Sequence, residues 1–175
     1  TDFDLKQHEE HSGKKLQYFD PESKESYIPY VVETSIGLDR MFLSVLSASY
    51  QDEKLEDGNS RTVLKIPAAL APYKAAILPL VKKDGLPEIA KSIIDDLKLD
   101  YMVQYDEKDS IGKRYRRQDA IGTPFCITVD HDTKEDQSVT LRDRDTMTQE
   151  RVKISDLESI IEQKVSMKNL LKKLK

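Results

Sequence analysis

The chain has 175 residues, 34% of them charged and 38% hydrophobic, which suits one soluble domain, or one domain joined to part of another. No apolar run approaches the roughly 20 residues that span a bilayer, and TDFDLKQHEE is not a targeting leader, so no membrane partner and a cytoplasmic home are expected. The net charge of -4 argues weakly against nucleic acid, but residues 1–60 hold 6 basic and 13 acidic side chains while residues 61–175 hold 22 and 19, so the back part is mildly basic.

The chain opens on Thr1 rather than Met, which reads as a cut end. Residues 1–30 read as polar and irregular, with a hairpin of short strands around the turn-rich DPESKE. Tyr30–Glu33 is β-prone, and Ser35 and Gly37 break that run. From Asp39 the spacing of Met41, Phe42, Val45, Leu46 and Ser49 predicts an amphipathic helix. The polar QDEKLEDGNSR, with Asp57-Gly58-Asn59, is the expected domain boundary, dividing 1–60 from 61–175.

Strand and helix patterns then alternate. A buried strand near Ala75–Leu80 is followed by a helix with Pro87 at its start and Leu86, Ile89, Ala90, Ile93, Ile94 and Leu97 on one face. Strands are expected at Tyr101–Tyr105, Phe125–Val129 and Val139–Arg144, and a helix at 109–121 that Gly122-Thr123-Pro124 ends. Residues 130–137 read as a polar turn. Ser155-Asp156-Leu157-Glu158 reads as a capping box that opens one last helix running to Leu174. The order implies an α/β fold in which a mixed sheet of about five strands is covered by three helices.

Cys126 is the only cysteine, so no internal disulfide can form. In PFCITV it reads as a small buried hydrophobe. His8 and His11 have i, i+3 spacing but no evident third ligand, and His131 lies in a turn, so no metal site is expected.

In VVETSIGLDR a carboxylate, Glu33, and a hydroxyl, Ser35, stand two apart on the expected strand and so share a side. Arg40 follows in the first helical turn. A carboxylate can hold an ammonium and a guanidinium a phosphate. On spacing alone, a strand-to-helix turn capped by Asp39 with a surface arginine suits the residues as well. ETSIGLDR, however, resembles the third signature motif of class II aminoacyl-tRNA synthetases, and the lead TDFDLKQHEEHSGKKLQYFDPESKESYIPYVVETS resembles its glycyl-tRNA synthetase version. The resemblance implies that residues 1–60 are the end of an antiparallel class II catalytic core, with Glu33 and Ser35 holding glycine and Arg40 holding ATP. Many members carry proline where this chain has Thr34. The first and second class II motifs are absent, so no catalytic residue is assigned and no adenylate formation is expected from this chain alone.

KDSIGKRYRRQDAIGTPFCITV clusters Lys113, Arg114, Arg116 and Arg117 around Tyr115, a pattern able to hold phosphates and stack a base. A solvated helix face is the plainer alternative. The spacing of Gly112, Lys113, Arg114, Tyr115, Asp119, Gly122 and Pro124 resembles the anticodon-binding domain shared by glycyl, threonyl, prolyl and histidyl synthetases, with Asp119 and Gly122 in structural places. Val139 and Leu141 should then face the core, while Arg142 and Arg144 project from an open face toward RNA. Glu135, in the turn before, could accept from a cytosine amino group; an exposed strand with local Arg–Asp pairs is the alternative.

The resemblance implies a tRNA(Gly) partner and, for the intact enzyme, glycine and ATP as substrates, Mg2+ as cofactor and a homodimeric state. Another synthetase of the same subclass and a non-catalytic RNA-binding accessory protein are the competing readings.

Overall fold

The computed structural model describes residues 1–55 and 58–173. Asp57 of the expected turn and Leu174 of the expected last helix lie outside the described residues. The chain divides into two units, Thr1–Met41 and Phe42–Lys175.

The first unit holds a helix, α1 (Phe3–Ser12), where the sequence suggested irregular chain. It buries no residue, so it carries no apolar periodicity to reveal it. Local contacts hold it instead. Asp2 pairs with Lys6 at 2.5 Å, and Gly13 ends the helix in the left-handed conformation, its N–H donating to the Glu9 carbonyl. Strands β1 (Tyr18–Asp20) and β2 (Glu25–Tyr27) form the expected antiparallel hairpin, with the Tyr18 and Tyr27 rings edge to face at 5.8 Å. Tyr30–Glu33 forms no strand. Its Val31 exchanges hydrogen bonds with Thr1, the Val31 N–H donating to the Thr1 carbonyl at 2.8 Å and the Thr1 ammonium to the Val31 carbonyl at 3.3 Å, but no strand among the described residues pairs along it.

Helix α2 (Leu38–Ser49) forms as predicted, although Met41, Phe42 and Leu46 on its apolar face are exposed. Within the expected boundary stretch, residues 51–54 and 60–61 lie in two antiparallel strands, β3 (Tyr50–Lys54) and β4 (Ser60–Leu64), a second hairpin. Its polarity is satisfied within the hairpin. Thr62 donates to Asp52 at 2.7 Å, and Glu53 receives both Arg61 and Lys65.

The rest is a five-stranded mixed sheet in the order β6-β5-β7-β8-β9. Strands β5 (Ala75–Pro79), β6 (Val103–Tyr105) and β7 (Phe125–Val129) run parallel, while β8 (Ser138–Asp143) and β9 (Gln149–Lys153) continue antiparallel. β9 lies where the sequence located no element. Its polar QERVK leaves only Val152 partly buried, so it lacks the apolar alternation of a strand. Helix α3 (Leu86–Leu97) covers one face of the sheet together with α6 (Leu157–Val165), and Ile77, Leu86, Ile127, Leu157 and Ile161 form the centre of that core. Helix α4 (Ile111–Ile121) covers part of the other face through Ile111 and Tyr115, over Ala76, Leu78 and Cys126. The polar turn at 130–137 contains a short helix, α5 (Thr133–Asp136).

The expected capping box does not close. A 3-10 turn at Ile154–Asp156 precedes α6, the Ser155 hydroxyl donates to Asp156, and no side chain at the N-cap accepts from the first backbone N–H groups of α6. The last helix also breaks at Ser166, whose backbone is extended (ψ 121), and a short α7 (Met167–Lys172) follows.

Gly122 ends α4 with φ +83, and a Cβ there would lie 2.8 Å from Ile66 Cγ2 and 3.0 Å from the Leu64 carbonyl oxygen. Gly122→Ala is therefore expected to destabilise the fold by about 2–4 kcal/mol, through left-handed strain plus overpacking. The shift in urea midpoint measures it, and an unchanged midpoint would contradict the packing described.

Candidate nucleic-acid interface

The face of the sheet that α4 partly covers carries the polar side chains. β-Strand alternation puts Val139 and Leu141 into the core, as expected, and Ser138, Thr140 and Arg142 on the opposite face. Being opposite the core does not leave Arg142 open. It is only 4% exposed, and both of its Nη groups donate to the Asp119 carboxylate, at 2.7 and 3.0 Å. Its guanidinium also lies 4.9 Å from the centre of the Tyr115 ring.

Asp119 is fully buried and shared. Arg61 of β4 donates to it at 3.1 Å, to the Arg144 carbonyl at 3.0 Å and to Glu53 at 2.7 Å. Arg144 is 2% exposed. Its Nη1 donates to the Gly122 carbonyl at 2.8 Å and its Nε to Asp145 at 2.8 Å. The expectation that Arg142 and Arg144 project openly toward a ligand is thus corrected. A buried guanidinium must find acceptors, and α4 brings Asp119 and the Gly122 carbonyl to meet them.

The basic cluster of α4 also divides. Arg114 turns inward, donating to Pro79, Asp109 and Leu80 carbonyls, the first at 2.6 Å, so it ties the helix to the end of β5 and offers no open contact. Arg117 is held by Asp106 and Asp109. Arg116 and Lys113 are exposed and form no ion pair among the described residues. Tyr115 shares a 2.7 Å hydrogen bond with Thr128, and burial raises its hydroxyl pKa. Burial likewise pushes the Cys126 thiol up to about 12, as suits a small core hydrophobe. Burial also pushes the Asp143 carboxyl up, but donation from Lys164 and from the backbone N–H groups of Thr146 and Asp145 outweighs it and leaves the group below its ordinary value.

Beyond α4 the face opens stepwise. Strand register aligns Leu78, Thr128, Thr140 and Arg151 across β5, β7, β8 and β9. The row passes from fully buried Leu78 through half-buried Thr140 to exposed Arg151. Sequence reading missed Arg151. The available signal was its one-residue offset from Val152 in a short stretch ahead of the last helix. Its guanidinium is fixed by Asp130 at 2.5 Å, by the Ser138 hydroxyl and carbonyl at 3.1 Å each, and by Asp136 at 3.3 Å. Its side chain still keeps 36% of its surface. Glu135 is exposed on α5, next to Asp136, without an ion pair among the described residues.

Glu33 and Ser35 are exposed in chain without regular structure, and Arg40 is exposed in the first turn of α2. Among the described residues no three His, Cys, Asp or Glu side chains could hold a metal ion, and no helix is long and apolar enough to cross a membrane.

The family model described as "Anticodon binding domain" matches residues 74–174. The chain is 56% identical over 144 residues to a glycine–tRNA ligase of Geobacillus thermodenitrificans, which covers 82% of this chain and 30% of that protein. It is 58% identical over 144 residues to a glycine–tRNA ligase of Bacillus cereus, at 82% and 31% coverage. The chain therefore spans about a third of the length of these relatives. Among solved structures, the RNA binding domain of threonyl-tRNA synthetase from Cryptosporidium parvum Iowa II is similar, with a TM-score of 0.52, 26% identity, and coverage of 57% of this chain and 25% of that one.

Replacing Asp119 by Ala leaves two buried guanidinium groups short of their shared acceptor. The expected loss is about 3–5 kcal/mol of folding stability, read from urea denaturation. A loss under about 1 kcal/mol would mean that water reaches the pair.

Proposed function

The chain belongs to the anticodon binding domain family, and from that premise we propose that its back part holds the anticodon loop of tRNA(Gly) within a glycine–tRNA ligase. The intact enzyme would join glycine to tRNA(Gly) with ATP through glycyl-adenylate, as a cytoplasmic homodimer. The relatives named above carry the glycine–tRNA ligase name at 56% and 58% identity, which favours glycine over the threonyl, prolyl and histidyl alternatives and over an accessory RNA-binding protein.

The observation that carries the reading is the open end of the sheet face. There Arg151 is braced by two carboxylates and the Ser138 hydroxyl while part of its surface stays free. A guanidinium held in one orientation presents a plane on which an unstacked base can lie, with little further ordering cost. Glu135, close in sequence to two of Arg151's partners, would accept from the amino group of a cytosine, and glycine anticodons end in two cytosines. Arg116 and Lys113, exposed on α4, would hold backbone phosphates. Arg142, Arg144 and Arg114 tie α4 to the sheet.

In the intact enzyme Glu33 and Ser35 would hold glycine and Arg40 would hold ATP. A pocket for glycine must work by exclusion, since the missing methyl offers nothing to grip. In the intact enzyme Mg2+ would accompany ATP, held mainly by its phosphates.

Two measurements test the proposal. The chain should bind an anticodon stem-loop carrying a glycine anticodon more tightly than one in which both cytosines are replaced. Arg151→Ala should weaken the cognate complex by about 1–3 kcal/mol and narrow that preference, whereas Arg116→Ala should weaken both RNAs alike and lower the salt slope by about one. Equal binding of both RNAs by the unaltered chain would overturn the anticodon reading. Separately, the chain alone should give no glycine-dependent ATP–pyrophosphate exchange, and robust exchange would refute the placement of the missing motifs elsewhere in the intact enzyme.

A further inference from the structure

Just past the end of β8, Arg144 lines a depression of about 350 Å³ whose other walls come from residues 65–69 and from α6 and α7. Lys65, Lys164, Lys173 and Asn169 line it too, against one acidic residue, Asp145. It lies on from the Thr140 row by four residues of chain, roughly 13 Å of extended strand.

The hydrogen bonding leaves this pocket with donors to spare. Lys65 is paired with Glu53, and Lys164 with Asp143 at 2.6 Å. Arg144 spends Nε on Asp145 and Nη1 on the Gly122 carbonyl, and its Nη2 makes no hydrogen bond to the described residues. Every fully buried side-chain nitrogen among the described residues has a partner, so this unengaged Nη2 is open to solvent, on an arginine otherwise 2% exposed, and can receive one more acceptor. Lys173 has no ion pair among the described residues. The wall at 68–71 is not electronegative, because Lys74 Nζ already occupies the Ala69 and Ala71 carbonyls at 2.8 Å each. Ile66 and Pro67 give that wall an apolar surface.

We propose that this depression is an anion pocket that takes a phosphate group of an RNA backbone, separate from the base-reading edge at Arg151. Arg144 Nη2 and Lys173 Nζ would donate to the phosphate oxygens, Asn169 would border them, and the apolar wall would lie against the sugar. The RNA part of this assignment rests on the proposed function; the anion part does not.

The test has two arms on the whole chain. In the first, inorganic phosphate is titrated into 15N-labelled chain. Saturable shifts at the Arg144 Nε–H and at the Lys65 and Asn169 amides are expected, and these should vanish in Asn169→Asp, which sets a carboxylate at the site. Absence of saturable shifts would overturn the anion pocket. In the second, Lys173→Glu is compared with the unaltered chain in binding the cognate stem-loop RNA. A salt slope lower by about one, about 3- to 10-fold weaker binding and an unchanged preference for the two cytosines are expected. Phosphate shifts together with an unchanged RNA slope would overturn the RNA assignment in favour of a small-anion site. If the unaltered chain binds no RNA, the proposed function fails and takes the RNA assignment with it, and the phosphate arm still decides the pocket.

Discussion

The buried carboxylate of Asp119 is the point on which the sheet, its covering helix and the preceding hairpin depend. It accepts from Arg142 on β8 and from Arg61 on β4, and Arg61 passes a second contact on to Glu53 of β3. An isolated buried charge costs several kcal/mol. Here each charge has an opposite partner, and no buried side-chain nitrogen or oxygen among the described residues lacks a hydrogen bond. The geometry tolerates little movement, because two guanidinium forks converge on one carboxylate. That convergence fixes where α4 lies across the sheet, and it makes the β3–β4 hairpin part of the same unit as the sheet.

This arrangement redistributes positive charge along the chain. The arginines nearest the centre of the motif, Arg114 and Arg142, are spent on internal acceptors. Among the basic side chains left exposed, several stand at the margins, such as Arg116 on α4, Arg151 on the edge strand and Lys173 after α7. A sheet covered at one side and bare at the other gives a row of side chains that passes from core to solvent in four steps. The covered end of that row supports the exposed end. Density of basic residues in sequence is thus a poor guide to which of them reach solvent.

The front unit shows the converse dependence. Its helix and hairpin are held by local contacts, an i, i+4 ion pair, a left-handed glycine and one pair of tyrosine rings. Those need no distant partner. Tyr30–Glu33 has strand propensity but no neighbouring strand among the described residues, and Tyr30 and Val32 are 78% and 94% exposed. Glu33 and Ser35 share a side only on a formed strand, so their proposed hold on glycine requires the sheet of the intact enzyme.

The sequence by itself determined the features written in short-range periodicity. Helix α3 shows its apolar face at i, i+3 and i+4, β7 is a continuous apolar run, and Gly122 marks the end of α4; each was legible because a few adjacent residues encode it. The motif spacing in GKRYRRQDAIGTP pointed to the family for the same reason. Tertiary structure alone decided which polar side chains are spent inside. Arg142 meets Asp119 across 23 residues of chain, Arg61 meets it across 58, and β9 becomes a strand only by pairing with β8. No local pattern records such partners, because an arginine beside an apolar residue looks the same whether solvent or a distant carboxylate awaits it. The open edge of the sheet face is defined only once those pairs have been made.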